Sequence, residues 1–128
     1  MRLLLDTHVI LWWLSGDGRF GPKSRRLITD DANQVLVSVV SLWEITMKVR
    51  AGKLQADVSE IEWDLTEQGF GSLGVEKAHL WPLSTLPVHH GDPFDHMLIA
   101  QAIVEGATLL TADRVIRRYP VRYLDCGL

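Results

Sequence analysis

The sequence predicts an α/β fold: a three-layer α/β/α sandwich with a central, mostly parallel sheet. Three observations carry that prediction. Candidate strands alternate with candidate helices along the whole chain. The strands are short, continuous apolar runs, not alternating ones, as expected of strands covered on both faces. No repeat, low-complexity segment or linker interrupts the pattern, and 128 residues fit a single domain over 1–128 with one core.

Leu3-Leu4-Leu5 reads as a buried strand ended by Asp6-Thr7, and Val9–Leu14 as the first turns of a helix. Trp12 and Trp13 are adjacent, so one packs inside while the other lies at a surface or interface. Ser15-Gly16-Asp17-Gly18 is a loop, Pro22–Ile28 a short helix with a basic face, and Asp30–Asn33 a turn. Gln34–Ser38 is the second strand. Val39–Ala51 follows as a helix with Leu42, Ile45 and Val49 on one side and Gly52 as its stop. A further helix opens at Asp57–Glu62, where Ser59 and Glu62 have capping-box spacing. Gly69–Val75 holds a weak third strand, and Glu76–Trp81 is helical until Pro82. Leu86–Gly91 is a loop. Asp92 then caps a helix that has Pro93 in its first turn and runs to about Glu105, with Gly106 as its stop. Ala107–Thr111 is a strand, Val115–Tyr119 a short helix broken by Pro120, and Val121–Leu124 the last strand.

Composition bounds the function. Apolar residues make up 47% of the chain and charged residues 23%, ordinary values for a globular protein. No apolar run is long enough to span a bilayer, and the N-terminus lacks the pattern of a signal peptide. The single cysteine, Cys126, rules out an internal disulfide and suits a reducing, cytoplasmic setting, where it reads as structural. A net charge of −3 counts against a binder that works by Lys/Arg neutralisation of nucleic acid. It does not count against an enzyme whose acids hold metal ions that face phosphates.

Ligands of an open parallel sheet bind outside the carboxyl ends of its strands. Asp6 directly follows the first strand, Asp113 follows the Leu109 strand, and Glu44 lies six residues past Ser38. Asp95 sits in the first turn of the helix that Asp92 caps, on one face with Ile99, Ala102 and Gly106. Each acid also has a structural explanation. Asp6 and Asp113 can cap the helices after them, and Glu44 has Ser41 at capping-box spacing and Lys48 at i+4. Four clustered carboxylates would repel one another and raise one another's pKa. A divalent cation removes that difficulty, and hard oxygen ligands suit Mg²⁺ or Mn²⁺. Such a site can activate water for in-line attack on a phosphodiester. Thr7 and Thr111 flank the acids as possible supports for a water or a phosphate oxygen, and Asp92 joins them as a supporting residue.

Four segments then stand in register: Leu3–His8, Ser41–Ile45, Asp92–Ala102 and Leu110–Arg114. They resemble the successive motifs of PIN-domain nucleases, above all the VapC-type toxins of bacterial toxin–antitoxin pairs. The resemblance runs through essentially the whole chain. It implies a PIN-like sandwich, with Asp6, Glu44, Asp95 and Asp113 as the acidic catalytic and metal-site residues and Asp6 and Asp95 as the most direct ligands. It also implies cleavage of RNA with Mg²⁺ or Mn²⁺, a homodimer, and silencing by a small VapB-like antitoxin. One departure is His96, where such relatives often have Arg.

Two other readings remain at this point. One is a nuclease of the same fold that works in RNA maturation or repair, the other a catalytically silent RNA- or protein-binding domain. A zinc site at His8, His89 and His90 lacks supporting cysteines or an H-x-x-x-H pattern, and His89-His90 reads as a solvated pair. Candidate phosphate contacts are Arg25, Arg26, Lys48, Arg50, Lys53 and Arg114, and the tryptophans read as core or interface residues.

Overall fold

The structure is a computed structural model that describes residues 1–128. Five strands form its sheet: β1 (Arg2–Leu5), β2 (Gln34–Ser38), β3 (Gly71–Leu73), β4 (Thr108–Thr111) and β5 (Tyr123–Asp125). Six α-helices accompany them: α1 (Thr7–Ser15), α2 (Pro22–Thr29), α3 (Val39–Arg50), α4 (Val58–Glu67), α5 (Lys77–Thr85) and α6 (Pro93–Glu105). A 3-10 helix covers Arg114–Arg118. The strand order is β3-β2-β1-β4-β5 and every pairing is parallel. In the central strand, Leu4 stands opposite Leu36 on one side and Leu109 on the other.

Successive strand residues point to opposite faces, so two cores form. Leu3, Leu5, Val35, Val37 and Leu110 pack with Val9 and Ile10 of α1, Ile28 of α2 and Ile61 and Leu65 of α4. Leu4, Leu36 and Leu109 pack on the other face with Leu98, Ile99 and Ala102 of α6 and with Ile116 and Tyr119. The predicted three layers and parallel sheet are present. Cys126 is buried in the first core, which pushes its thiol up to about 11 and suits a structural role. No helix of the protein is long and apolar enough to cross a membrane.

Some boundaries differ from the sequence reading, each for a local reason. Helix α1 begins at Thr7 because Asp6 already caps it. Helix α4 is capped by Asp57, not Ser59. The Asp57 carboxylate accepts from the N–H groups of Ser59 and Glu60 and from the Ser59 hydroxyl, so the hydroxyl is spent on the cap itself. Helix α5 continues through Pro82 to Thr85. Proline removes only its own N–H, and the Ser84 and Thr85 hydroxyls donate back to the carbonyls of Trp81 and Pro82. The turn after Asp113 is 3-10 instead of α, and the last strand lies slightly later than Val121–Leu124.

Candidate metal centre

The strand order reverses between β1 and β4, so a crevice opens beyond the carboxyl ends of these two strands. Asp6 stands at the end of β1. Its Oδ1 accepts from the His8 N–H at 3.1 Å, capping α1, while Oδ2 accepts from the Thr111 hydroxyl at 2.7 Å. The Thr111 oxygen in turn accepts from the Asp113 N–H at 3.0 Å. One hydroxyl at the end of β4 therefore ties both strand-end acids together. Asp113 Oδ1 caps the 3-10 helix through the Val115 N–H.

Glu44 arrives from the second turn of α3, whose N-terminus the Ser38 hydroxyl caps. Its Oε2 pairs with Lys48 Nζ at 3.0 Å. Its Oε1 is buried with no hydrogen-bond partner. Asp95 is in the first turn of α6, and Asp92, the cap of that helix, accepts from the N–H groups of Phe94 and Asp95. Asp6, Glu44, Asp92, Asp95 and Asp113 line one cavity of about 520 Å³. The predicted convergence of the four acids is thus realised, although they are spread over residues 6 to 113.

Their electrostatics are those of an acidic site short of positive charge. Burial pushes the Asp6 carboxyl up, opposed by the hydrogen bonds from Thr111 and His8. Asp95 is pushed up to about 7, first by burial and then by the charges of Asp6 and Asp92, against a hydrogen bond from His90. A buried carboxylate oxygen without a donor costs free energy unless a cation meets it. Glu44 has an orphaned, buried Oε1 and lines the same cavity as four other carboxylates, a donor set that fits a divalent metal ion.

Not every candidate is at the cavity. The Thr7 hydroxyl is buried and donates to Ser41 Oγ at 3.0 Å, so it joins α1 to α3 and does not line the site. Ser41 is engaged there, and Glu44 makes no capping box with it. Arg25 lies over Trp13 and Phe20. His90 is half-buried and bonded to Asp95, not solvated. Other contributors escaped the sequence reading: His8, Trp12 and Arg19 also line the cavity. The Arg19 guanidinium lies 4.3 Å from the centre of the Trp12 ring and pairs with Asp17 at 2.8 Å. The Gly-Asp-Gly loop that carries Arg19 gave no spacing signal.

A parallel α/β domain with a carboxylate-lined crevice at its switch point has the donor set for a hard divalent cation. The family model described as PIN domain matches residues 3–122, and the chain belongs to the PIN domain family. It is 28% identical over 120 residues to "Ribonuclease VapC22" of Mycobacterium tuberculosis, with 91% of each chain covered. Its fold is similar to the crystal structure of VapBC2 from Rickettsia felis bound to a promoter DNA fragment. That match has a TM-score of 0.75 at 16% identity and covers 97% of this chain and 98% of that one. The structure of VapBC-1 from nontypeable Haemophilus influenzae is similar with a TM-score of 0.68 at 12% identity, all of both chains being covered.

Proposed function

We propose that the chain, as one PIN domain over 1–128, is a metal-dependent endoribonuclease that hydrolyses RNA phosphodiester bonds. We read it as the toxin of a toxin–antitoxin pair, acting in the cytoplasm. The observation that carries this reading is the buried, orphaned Oε1 of Glu44, a residue that lines one cavity with Asp6, Asp95 and Asp113. The PIN family match and the ribonuclease name of a relative aligned over 91% of the chain support it. Asp6 and Asp95 would be the most direct ligands, with Glu44 and Asp113 assisting. The oxygen-rich donor set favours Mg²⁺ or Mn²⁺. When bound, such an ion supplies positive charge that makes water a better nucleophile and stabilises the departing oxygen.

The chain's own residues hold and orient. Thr111 and the His8 N–H fix both oxygens of Asp6. Lys48 fixes one oxygen of Glu44, and the other is buried without a protein partner. Clefts on either side of the cavity supply cations for a polyanion. One shares Glu44 and Asp92 with it and adds Lys48 and Lys53. Another shares Asp113 and adds Arg114, Arg117 and Tyr123. Phosphates on both sides of the scissile bond would meet these side chains, and Tyr123 offers a ring on which a base can stack.

The similar structures are of VapBC, which supports a small VapB-like antitoxin as partner. Exposed Trp43 and Met47 on α3 support an apolar interface, here read as that of a homodimer. The test is cleavage of RNA with Mg²⁺ present. Asp6→Asn and Asp95→Asn should each abolish cutting while circular dichroism shows a retained fold. Cleavage at the wild-type rate by either variant, or by the wild type under excess chelator, contradicts the reading.

A further inference from the structure

The loop ahead of α6 holds a hydrogen-bonded arrangement that the four acids do not explain. Tyr119 is buried, and its hydroxyl accepts from the backbone N–H groups of His89 and His90 at 3.0 and 3.2 Å. His90 Nδ1 lies 2.7 Å from the same oxygen, and His96 Nε2 lies 3.2 Å from it. The other ring nitrogen of His90, Nε2, is 3.0 Å from Asp95 Oδ2.

Counting protons places each one and leaves His96 Nε2 and the Tyr119 oxygen as neighbours with no proton between them. A phenolic oxygen has two lone pairs and one hydrogen. The two backbone N–H groups fill the lone pairs, so neither imidazole can donate to Tyr119. His96 Nε2 is 2.8 Å from the His90 carbonyl oxygen, which only accepts, so His96 carries its proton there and spends it on that carbonyl. The Tyr119 hydrogen must therefore go to His90 Nδ1. A neutral imidazole with an accepting Nδ1 carries its proton on Nε2, and that N–H meets Asp95.

We propose that Tyr119 and His96 lock His90 in its Nε2–H tautomer, making His90 a positioning residue that holds Asp95 Oδ2, so that Oδ1 would be the oxygen left to ligate a cation. The competing arrangement makes His90 a ligand itself, because its ring nitrogen and carboxylate oxygens of Asp95 and Asp113 lie within 4.8 Å of one another. Ligation through Nε2 needs that nitrogen bare, which the Tyr119 donor forbids. Partners that orient a ligand in this way typically change metal affinity by about 10–100-fold when removed. The lock itself is independent of the nuclease reading; only its service to a cation rests on that reading.

The test is nitrogen NMR of the whole protein labelled in its histidines, at pH 8, with and without Mg²⁺. His90 should show a protonated Nε2 and a bare Nδ1 in both samples; a bare Nε2, or a doubly protonated ring, overturns the proposal. Tyr119→Phe removes only the hydroxyl. It should give His90 as a mixture of tautomers and weaken Mn²⁺ binding, measured by titration calorimetry without RNA, by about 10–100-fold. Retention of either the single tautomer or the wild-type affinity in Tyr119→Phe overturns the proposal. Absence of Mn²⁺ binding by the wild type would overturn the service to a cation together with the metal-nuclease reading, while the spectra would still decide the lock.

Discussion

At the scale of single residues, the site is a set of acids, two of which also cap helix N-termini. Asp6 and Asp113 cap the helices that follow them, and the same side chains border the cavity. Capping a helix therefore does not keep either side chain from bordering the cavity. The raised pKa of Asp95, about 7, gives a prediction for the metal-free protein. An unfolded Asp titrates near 3.9, so between that value and about 7 the folded state holds the extra proton. Stability from this group is full below the unfolded pKa and is lost as pH rises through about 7. Thermal unfolding of chelated protein should show its melting temperature falling over that window, and Asp95→Asn should flatten the fall. Added Mg²⁺ should restore stability, most strongly above pH 7, by binding the folded state. His90 was invisible to sequence reading because its role depends on where the loop before α6 turns back onto Tyr119, 29 residues away. His96 replaces an expected Arg, and its bond to the His90 carbonyl shows what an imidazole does at that position.

At the scale of elements, the strands and most helices were legible because apolar runs and caps are local signals. Leu3-Leu4-Leu5 needs no tertiary information to be read as a two-sided buried strand. Competition between nearby caps was harder: Asp57 takes the Ser59 hydroxyl and starts α4 earlier than Ser59 would. Asp57→Ala should lower stability by about 0.5–2 kcal/mol in denaturant unfolding. Helix α2 has no side-chain cap, and its Ser24 N–H donates to the Leu128 carbonyl at 2.8 Å. Gly21 lies hard against the Leu128 backbone, so a Cβ there has no room. Gly21→Ala should cost about 1–3 kcal/mol through that overlap, although its backbone angles suit alanine. An unchanged denaturation midpoint would contradict this packing.

At the scale of the whole molecule, topology makes the site. Placing β1 beside β4 brings residues 6 and 113 to one crevice, and Thr111 bridges them. The convergence of Asp6, Glu44 and Asp113 was legible because strand-end positions can be inferred from a parallel sheet, whereas Asp95 joins them only because α6 starts beside that edge, which no local signal fixes. The cations and rings around them were not legible, since Arg19 and Trp12 reach the cavity from a loop and a helix with no motif of their own. If exposed Trp43 and Met47 form a homodimer interface, light scattering should give twice the chain mass, and Trp43→Glu should shift it toward one chain. Everything at the site depends on whether Asp6, Glu44, Asp95 and Asp113 jointly hold a divalent cation. The most direct measurement of this is anomalous diffraction from a crystal grown with Mn²⁺. A manganese peak is expected in the cavity, roughly 2–2.3 Å from carboxylate oxygens of Asp6 and Asp95. A fully occupied peak elsewhere, with this cavity holding only water, would contradict it.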